Sequence, residues 1–121
     1  MYIEIISKDG YGENIIQQHE VEKKIYPKGI VYKYKDEYSE NRIYVYSKKI
    51  KILRKGTITT EQIFEMQNET DFFYETPYMK KKMKIKTEQI EIKKDQIKIK
   101  YVIYENNEIV NKINIKILEK Y

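Results

Sequence analysis

The sequence predicts an all-β fold, and three features carry that prediction. The 121 residues include 13 tyrosines and many isoleucines, and aromatic and β-branched residues favour strands. Alanine, the best helix former, is absent. Apolar residues alternate with charged ones, most regularly where Met83, Ile85 and Thr87 alternate with lysines. This period of two is typical of half-buried strands rather than helices.

The predicted strands follow one another closely, each ending at a turn signal. In the first part of the chain they are 1–8, 13–26 and 30–38, separated by the turns DGYG and YPKG. The middle part contributes 43–47, 50–55, 58–66, 70–76 and 82–87, and the last part 90–92, 97–104 and 109–117. Asn106 and Asn107 suit a two-residue hairpin loop that requires positive φ.

The order of these elements predicts an antiparallel up-and-down β-barrel of about 8–10 strands. An open sheet of that size would curl or split and would leave two edges exposed, and closure into a barrel removes both problems. A β-sandwich is the alternative. The length is sufficient for one core, so residues 1–121 are predicted to be a single β-barrel domain.

Composition also limits the possible functions. There are no cysteines, which excludes disulfides, a thiol nucleophile and cysteine metal ligands. The N-terminus lacks the pattern of a signal peptide, and no apolar run has the length of a membrane span, so we expect a cytoplasmic protein without a membrane partner.

The net charge of +5 raises the question of nucleic-acid binding. Only Arg42 and Arg54 are arginines, whereas sequence-specific readers of nucleic acid rely on arginine. The lysines at 82, 84, 86, 98 and 100 and surface tyrosines such as Tyr44, Tyr46 and Tyr104 could still form a basic stacking surface. A solvated lysine face is the simpler interpretation.

Arg54 is the most informative residue of the sequence. It shares the parity of Ile50 and Ile52, so its side chain should point into the barrel, where a guanidinium is costly unless its donors are satisfied. We find no Asp or Glu in mid-strand on the predicted inner face. The expected partners are backbone carbonyls, water, an anionic ligand, or the hydroxyl groups of Tyr74, Thr76, Tyr78 and Thr87.

Several spaced residues resemble the YwiB-like family of bacterial calycin-like barrels. They are Leu53-Arg54-Lys55-Gly56, Phe64, Tyr74-Glu75-Thr76-Pro77-Tyr78, Thr87 and a closing strand with Tyr101. The resemblance covers residues 40–118 and departs at Met79, where the family tends to have glycine. It implies a barrel related in shape to lipocalins and fatty-acid-binding proteins, and it brings no established activity. The candidate ligand-binding residues are therefore Arg54, Phe64, Tyr74, Thr76, Tyr78 and Thr87.

Two hypotheses about function remain open at this point. In the first, the barrel interior binds a small anionic or amphipathic ligand through Arg54. In the second, the interior is filled, Arg54 only closes one end by binding carbonyls, and the basic, tyrosine-rich outer face binds RNA or a protein. The structural role of Arg54 is favoured, because structural networks often hold such groups.

We do not expect an enzyme, a metal or a cofactor. His19 is the only histidine and is predicted to be a core or rim residue. No second histidine, cysteine or close carboxylate pair completes a metal site or a catalytic triad. The expected assembly is a monomer or a homodimer.

Overall fold

The computed structural model describes residues 1–121 as eleven strands joined by short turns. In chain order they are β1 Tyr2–Asp9, β2 Asn14–Glu20, β3 Glu22–Tyr26, β4 Gly29–Lys35, β5 Ser39–Tyr46, β6 Lys49–Gly56, β7 Thr59–Glu65, β8 Glu69–Thr76, β9 Met79–Lys93, β10 Gln96–Glu105 and β11 Glu108–Lys120. They form one antiparallel sheet in the order β2-β1-β11-β10-β9-β8-β7-β6-β5-β4-β3. The predicted all-β, antiparallel barrel is confirmed, and the barrel is nearly closed. The chain forms no helix with the length and apolar character needed to cross a membrane.

The barrel has eleven strands rather than the predicted 8–10, and the strand boundaries differ from the prediction in two places. The segment predicted as one strand from 13 to 26 divides at Val21, because β2 pairs with β1 whereas β3 pairs with β4. The segments predicted as separate strands at 82–87 and 90–92 belong to one 15-residue strand, β9. Its register with β10 shifts where Tyr101 faces Thr87 and Lys100 faces Gln89. That bulge reverses the alternation, which made one strand look like two.

The two ends of the sheet meet where β2 continues into β3. The amide of Val21 donates to the carbonyl of Met1 at 2.9 Å. The ring of His19 in β2 stacks on Tyr34 in β4, with centroids 4.3 Å apart. Lys23 in β3 forms an ion pair with Glu119 in β11 at 2.6 Å. Side chains therefore join strands that share no backbone ladder.

The middle of the barrel is filled by its own side chains. Inward-facing residues from both halves of the sheet form one apolar cluster, whose largest fully buried members are Phe64, Ile3, Ile43, Ile50, Ile85 and Ile99. At the predicted Asn106-Asn107 hairpin both residues have positive φ, 53° and 65°. The polar residues of the inner face lie toward the two ends of this core.

Candidate functional site

A row of polar side chains crosses the inner face of five neighbouring strands at one end of the barrel. In the sheet register Tyr34 pairs with Asn41, Asn41 with Arg54, Arg54 with Thr60, and Thr60 with Tyr74. Partners in such a ladder have Cβ atoms about 4.5–5.5 Å apart. These five residues, which we call the polar row, therefore form a continuous surface from β4 to β8.

Arg54 stands in the middle of the polar row without a partner in the protein. Its side chain is half-buried, and its Nε is fully buried with no hydrogen-bond acceptor. The guanidinium forms no ion pair and no hydrogen bond to a backbone carbonyl. The hypothesis that Arg54 closes the barrel by binding carbonyls predicted such bonds, and the structure does not contain them.

Asp36 is the acidic group associated with Arg54. It follows the end of β4 with the parity of Tyr34, outside the mid-strand positions among which the sequence shows no inner carboxylate. Its Oδ1 accepts hydrogen bonds from the Ser39 hydroxyl at 2.7 Å and the Tyr38 amide at 3.0 Å, and Oδ2 accepts from Asn41 at 3.3 Å. Burial opposes ionisation, but these bonds and the charge of Arg54 outweigh it and lower the pKa of Asp36.

Gly56 brings the turn that carries Asp36 over the end of β6. A Cβ at this position would lie 2.0 Å from the carbonyl oxygen of Tyr38 and 2.8 Å from the Cβ of Ser39. Only glycine permits this approach of the two backbones. The LRKG segment thus supplies both the guanidinium and the space for the turn beside it.

His19 and Tyr34 form the wall of the site at the seam between β2 and β4. The Nε2 of His19 lies 3.1 Å from the Oε1 of Gln17. Burial lowers the pKa of His19, and the charge of Asp36 offsets part of that effect. Burial also raises the pKa of Tyr34 to about 12, with Asp36 raising it further and Arg54 opposing. Both rings are therefore neutral at pH 7.

The structure brings only part of the predicted residue set together. Arg54 and Tyr74 belong to the polar row. Phe64 is in the packed core, where its ring lies 4.6 Å from that of Tyr101. Thr76 accepts hydrogen bonds from the backbone amides after it, so it shapes the β8–β9 turn. Tyr78 in that turn is 96% exposed and does not face Arg54.

Thr87, the remaining predicted residue, lies away from the polar row. It is buried beside Met66, with which it forms an isolated bridge. Its hydroxyl oxygen has no hydrogen-bond partner. Thr87 and Arg54 therefore belong to separate parts of the barrel.

A second polar cluster, at the opposite end, was missed by the sequence analysis. The side chain of Glu119 in β11 is 3% exposed and pairs with Lys23. It also accepts hydrogen bonds from the hydroxyls of Tyr32 and Tyr121. Burial raises the pKa of Glu119, but these donors outweigh it and hold the pKa below its usual range. The sequence contained one indication that Glu119 points inward: it has the same parity in β11 as the inner-face residue Ile117.

Nothing in these clusters points to a metal centre: no group of three or more His, Cys, Asp or Glu side chains is arranged to hold an ion. In the Glu119 cluster, Lys23, Tyr32 and Tyr121 satisfy the carboxylate. Of the two clusters, only the polar row contains a charged side chain without an ion pair or a hydrogen bond.

Comparison with known proteins identifies relatives of the same fold. The crystal structure of the ywiB protein from Bacillus subtilis superposes with a TM-score of 0.75 at 16% identity, covering 99% of this chain and 89% of that one. No functionally curated protein matches the chain. Residues 3–117 match the family described as Domain of unknown function (DUF1934). The predicted YwiB-like relationship is thus confirmed, and the chain belongs to the DUF1934 family.

Proposed function

We propose that this protein binds a small anionic, amphipathic molecule at the end of the barrel that holds the polar row. The observation that carries the proposal is the half-buried guanidinium of Arg54, whose Nε is buried without an acceptor. Such a group costs folding free energy unless an acceptor satisfies it. A carboxylate or phosphate would satisfy it with charge-assisted, bidentate hydrogen bonds.

The neighbours of Arg54 support a ligand headgroup there. Thr60 flanks it on one side in the ladder and can donate a hydrogen bond, whereas the amide of Asn41 on the other side already donates to Asp36 and Ser39. The charge of Asp36 is already engaged by three donors, so it competes only weakly for the guanidinium. An anion beside Arg54 would thus meet the guanidinium and the Thr60 hydroxyl in partly buried surroundings.

The apolar part of the ligand would lie at the barrel end, since the middle of the barrel is filled. Ile15 has the inner-face parity of β2 and is nevertheless 45% exposed, beside the seam that His19 and Tyr34 close. An inward-facing but uncovered isoleucine on the strand that carries His19 suits a short apolar chain attached to an anionic head. The ligand is therefore proposed at the barrel end rather than deep in the interior.

The proposal is for binding without chemical conversion. The ring of His19 contacts Gln17 and Tyr34, so it is not directed at a hydroxyl nucleophile. Asp36 is ionised and held by its donors, which suits a structural acceptor better than a proton carrier. A bound ligand should accordingly be recovered with unchanged mass.

Native mass spectrometry after incubation with a panel of short- and medium-chain carboxylates and alkyl phosphates tests the proposal. We expect the ligand to be retained. At a ligand concentration of 100 Kd, the free energy of unfolding should rise by about 2.7 kcal/mol. Arg54→Gln should abolish both effects, and Arg42→Gln, which removes the outer arginine, should leave both unchanged.

Two outcomes would contradict the proposal. One is binding that Arg54→Gln and Arg42→Gln affect equally. The other is a loss of folding in Arg54→Gln that Arg54→Lys does not repair, together with no member of the panel bound by the wild-type protein. That second result would mean that Arg54 has only a structural role.

A further inference from the structure

The outer surface of β3, β4 and β5 contains a groove with a composition unlike the rest of the barrel exterior. Its volume is about 310 Å³. Three tyrosines and three cationic side chains define it: Tyr26, Tyr44, Tyr46, Lys28, Lys33 and Arg42. We call it the tyrosine groove. It lies outside the barrel and shares no residue with the polar row.

The rings of the tyrosine groove are partly exposed, and two of them are ordered relative to one another. Tyr44 and Tyr46 are nearly parallel, with an interplanar angle of 7° and centroids 6.5 Å apart. Tyr26 is 49% exposed and Tyr46 38% exposed, whereas Tyr44 is half-buried and the Nζ of Lys51 lies 5.8 Å from the centroid of its ring. The turn that carries Lys28 is held close to β5, because a Cβ at Gly29 would lie 2.2 Å from a backbone oxygen of that strand. The groove therefore presents aromatic faces on a rigid sheet.

The cations of the groove lack acidic partners. Lys33 and Arg42 stand directly opposite each other in the β4–β5 ladder, an arrangement of like charges that destabilises a sheet. On its other side Lys33 faces Glu22 in the β3–β4 ladder, and the charge of Glu40 also acts on Arg42. Both acids form their ion pairs with other residues, Glu22 with Lys24 and Glu40 with Lys35, each at 3.4 Å. Arg42 donates only to the hydroxyl of Tyr44, at 3.3 Å. An external anion would relieve this repulsion.

Other lysine-rich surfaces of the barrel do not combine these features. On the outer face of β9, Lys82 and Lys84 both form ion pairs with Asp71, at 3.5 and 2.5 Å. A second outer groove carries Lys98 and Lys100 without acidic partners, but its apolar lining is aliphatic. A third outer groove holds Lys86 without an ion pair, but it contains a single tyrosine, Tyr104. The tyrosine groove differs by joining three aromatic rings to cations that form no ion pair.

We propose that the tyrosine groove binds single-stranded nucleic acid. Unpaired bases have exposed faces that stack on tyrosine, and the backbone phosphates pair with the surrounding cations. Duplex would be disfavoured, because its bases are already stacked on each other. Since this surface is separate from Arg54, the proposal does not depend on the ligand of the barrel end.

Fluorescence anisotropy with a short labelled oligouridine measures this binding. Tyr44→Leu should weaken it about tenfold through lost stacking. Arg42→Gln and Lys33→Gln should each reduce the slope of log K against log salt by about 0.7, as expected for one phosphate contact to a single strand. Lys82→Gln, with the same change of net charge, is the control and should leave the slope unchanged.

The competing surface and competing substrate are tested in the same assay. Lys100→Gln probes the aliphatic groove, and a duplex of the same length probes specificity for single strands. The proposal is overturned if the wild-type protein does not bind the oligonucleotide, if Lys100→Gln weakens binding while Tyr44→Leu does not, or if duplex binds equally well. A urea-unfolding midpoint equal to that of the wild type would show that Tyr44→Leu is folded.

Discussion

Replacing Lys23 with methionine should destabilise the barrel much more than breaking any exposed ion pair. The substitution keeps most of the length of the side chain and removes its charge. The partner carboxylate of Glu119 is 3% exposed, and Lys23 itself is 20% exposed. Removing one member of a buried pair costs about 3–5 kcal/mol, because the remaining charge is left without compensation.

The structure places the expected loss below that range. Tyr32 and Tyr121 continue to donate to Glu119 in the variant, and the partial exposure of the Lys23 site admits some water. We therefore expect a loss of about 2 kcal/mol. With an m value of about 1.5 kcal/mol/M, the midpoint of urea unfolding would fall by about 1.3 M.

Equilibrium urea unfolding measures this change, and Lys80→Met provides the matched control. Lys80 forms an ion pair with Glu75 at 3.6 Å, but its side chain is 81% exposed. Its loss should change stability by less than about 0.5 kcal/mol, as is usual for exposed pairs. Equal effects of the two substitutions would refute the reasoning, because Glu119 would then have to be solvated like a surface carboxylate.

Three further predictions concern single positions. Gly56→Ala should destabilise the fold by about 2 kcal/mol, because the new Cβ must displace the Tyr38 carbonyl; Gly10→Ala, whose nearest contact would be 3.4 Å, should be tolerated when both are measured by urea unfolding. The stability advantage of wild type over Glu119→Gln should be constant above pH 6 and shrink below about pH 4.5, because the folded-state pKa of this carboxyl is lowered and its contribution disappears as pH falls through that pKa. Thr87→Val should raise the free energy of unfolding by about 1 kcal/mol by removing a buried hydroxyl without a partner, and a loss of stability instead would mean that the hydroxyl is satisfied.

The fold was predictable because its signal is local. Alternation assigns each residue of a strand to a face, and the inward parity of Ile50, Phe64 and Ile85 agrees with their complete burial. The departures arise where a long-range contact changes the local pattern. The chain divides into two strands at Val21 because β2 pairs with β1 whereas β3 pairs with β4. The change of alternation within β9 depends on its pairing with β10.

The candidate site was predictable only at its centre. Parity and charge identify Arg54 as an inward guanidinium, and the structure confirms that orientation through its buried Nε. Its neighbours Asn41 and Thr60 are determined by the register between strands, which alternation within one strand does not define. Tyr78 was included as the last residue of the Tyr74-Glu75-Thr76-Pro77-Tyr78 run, but the chain turns at Pro77 and carries it into solvent.

The two polar clusters at the ends of the core show how a structural charge differs from one available for binding. Glu119 and Arg54 are both removed from water in part, and both therefore need compensation. Glu119 receives it from one cation and two hydroxyls of the same chain, and these contacts join β11 to β3 and β4. Arg54 receives only the more distant charge of Asp36, with no ion pair and no hydrogen-bond acceptor at its buried Nε. Three donors hold Asp36, which forms no ion pair with the guanidinium. A fold that only required closure at this end could have used Asp36 to neutralise Arg54, so the arrangement favours an external anion as the partner.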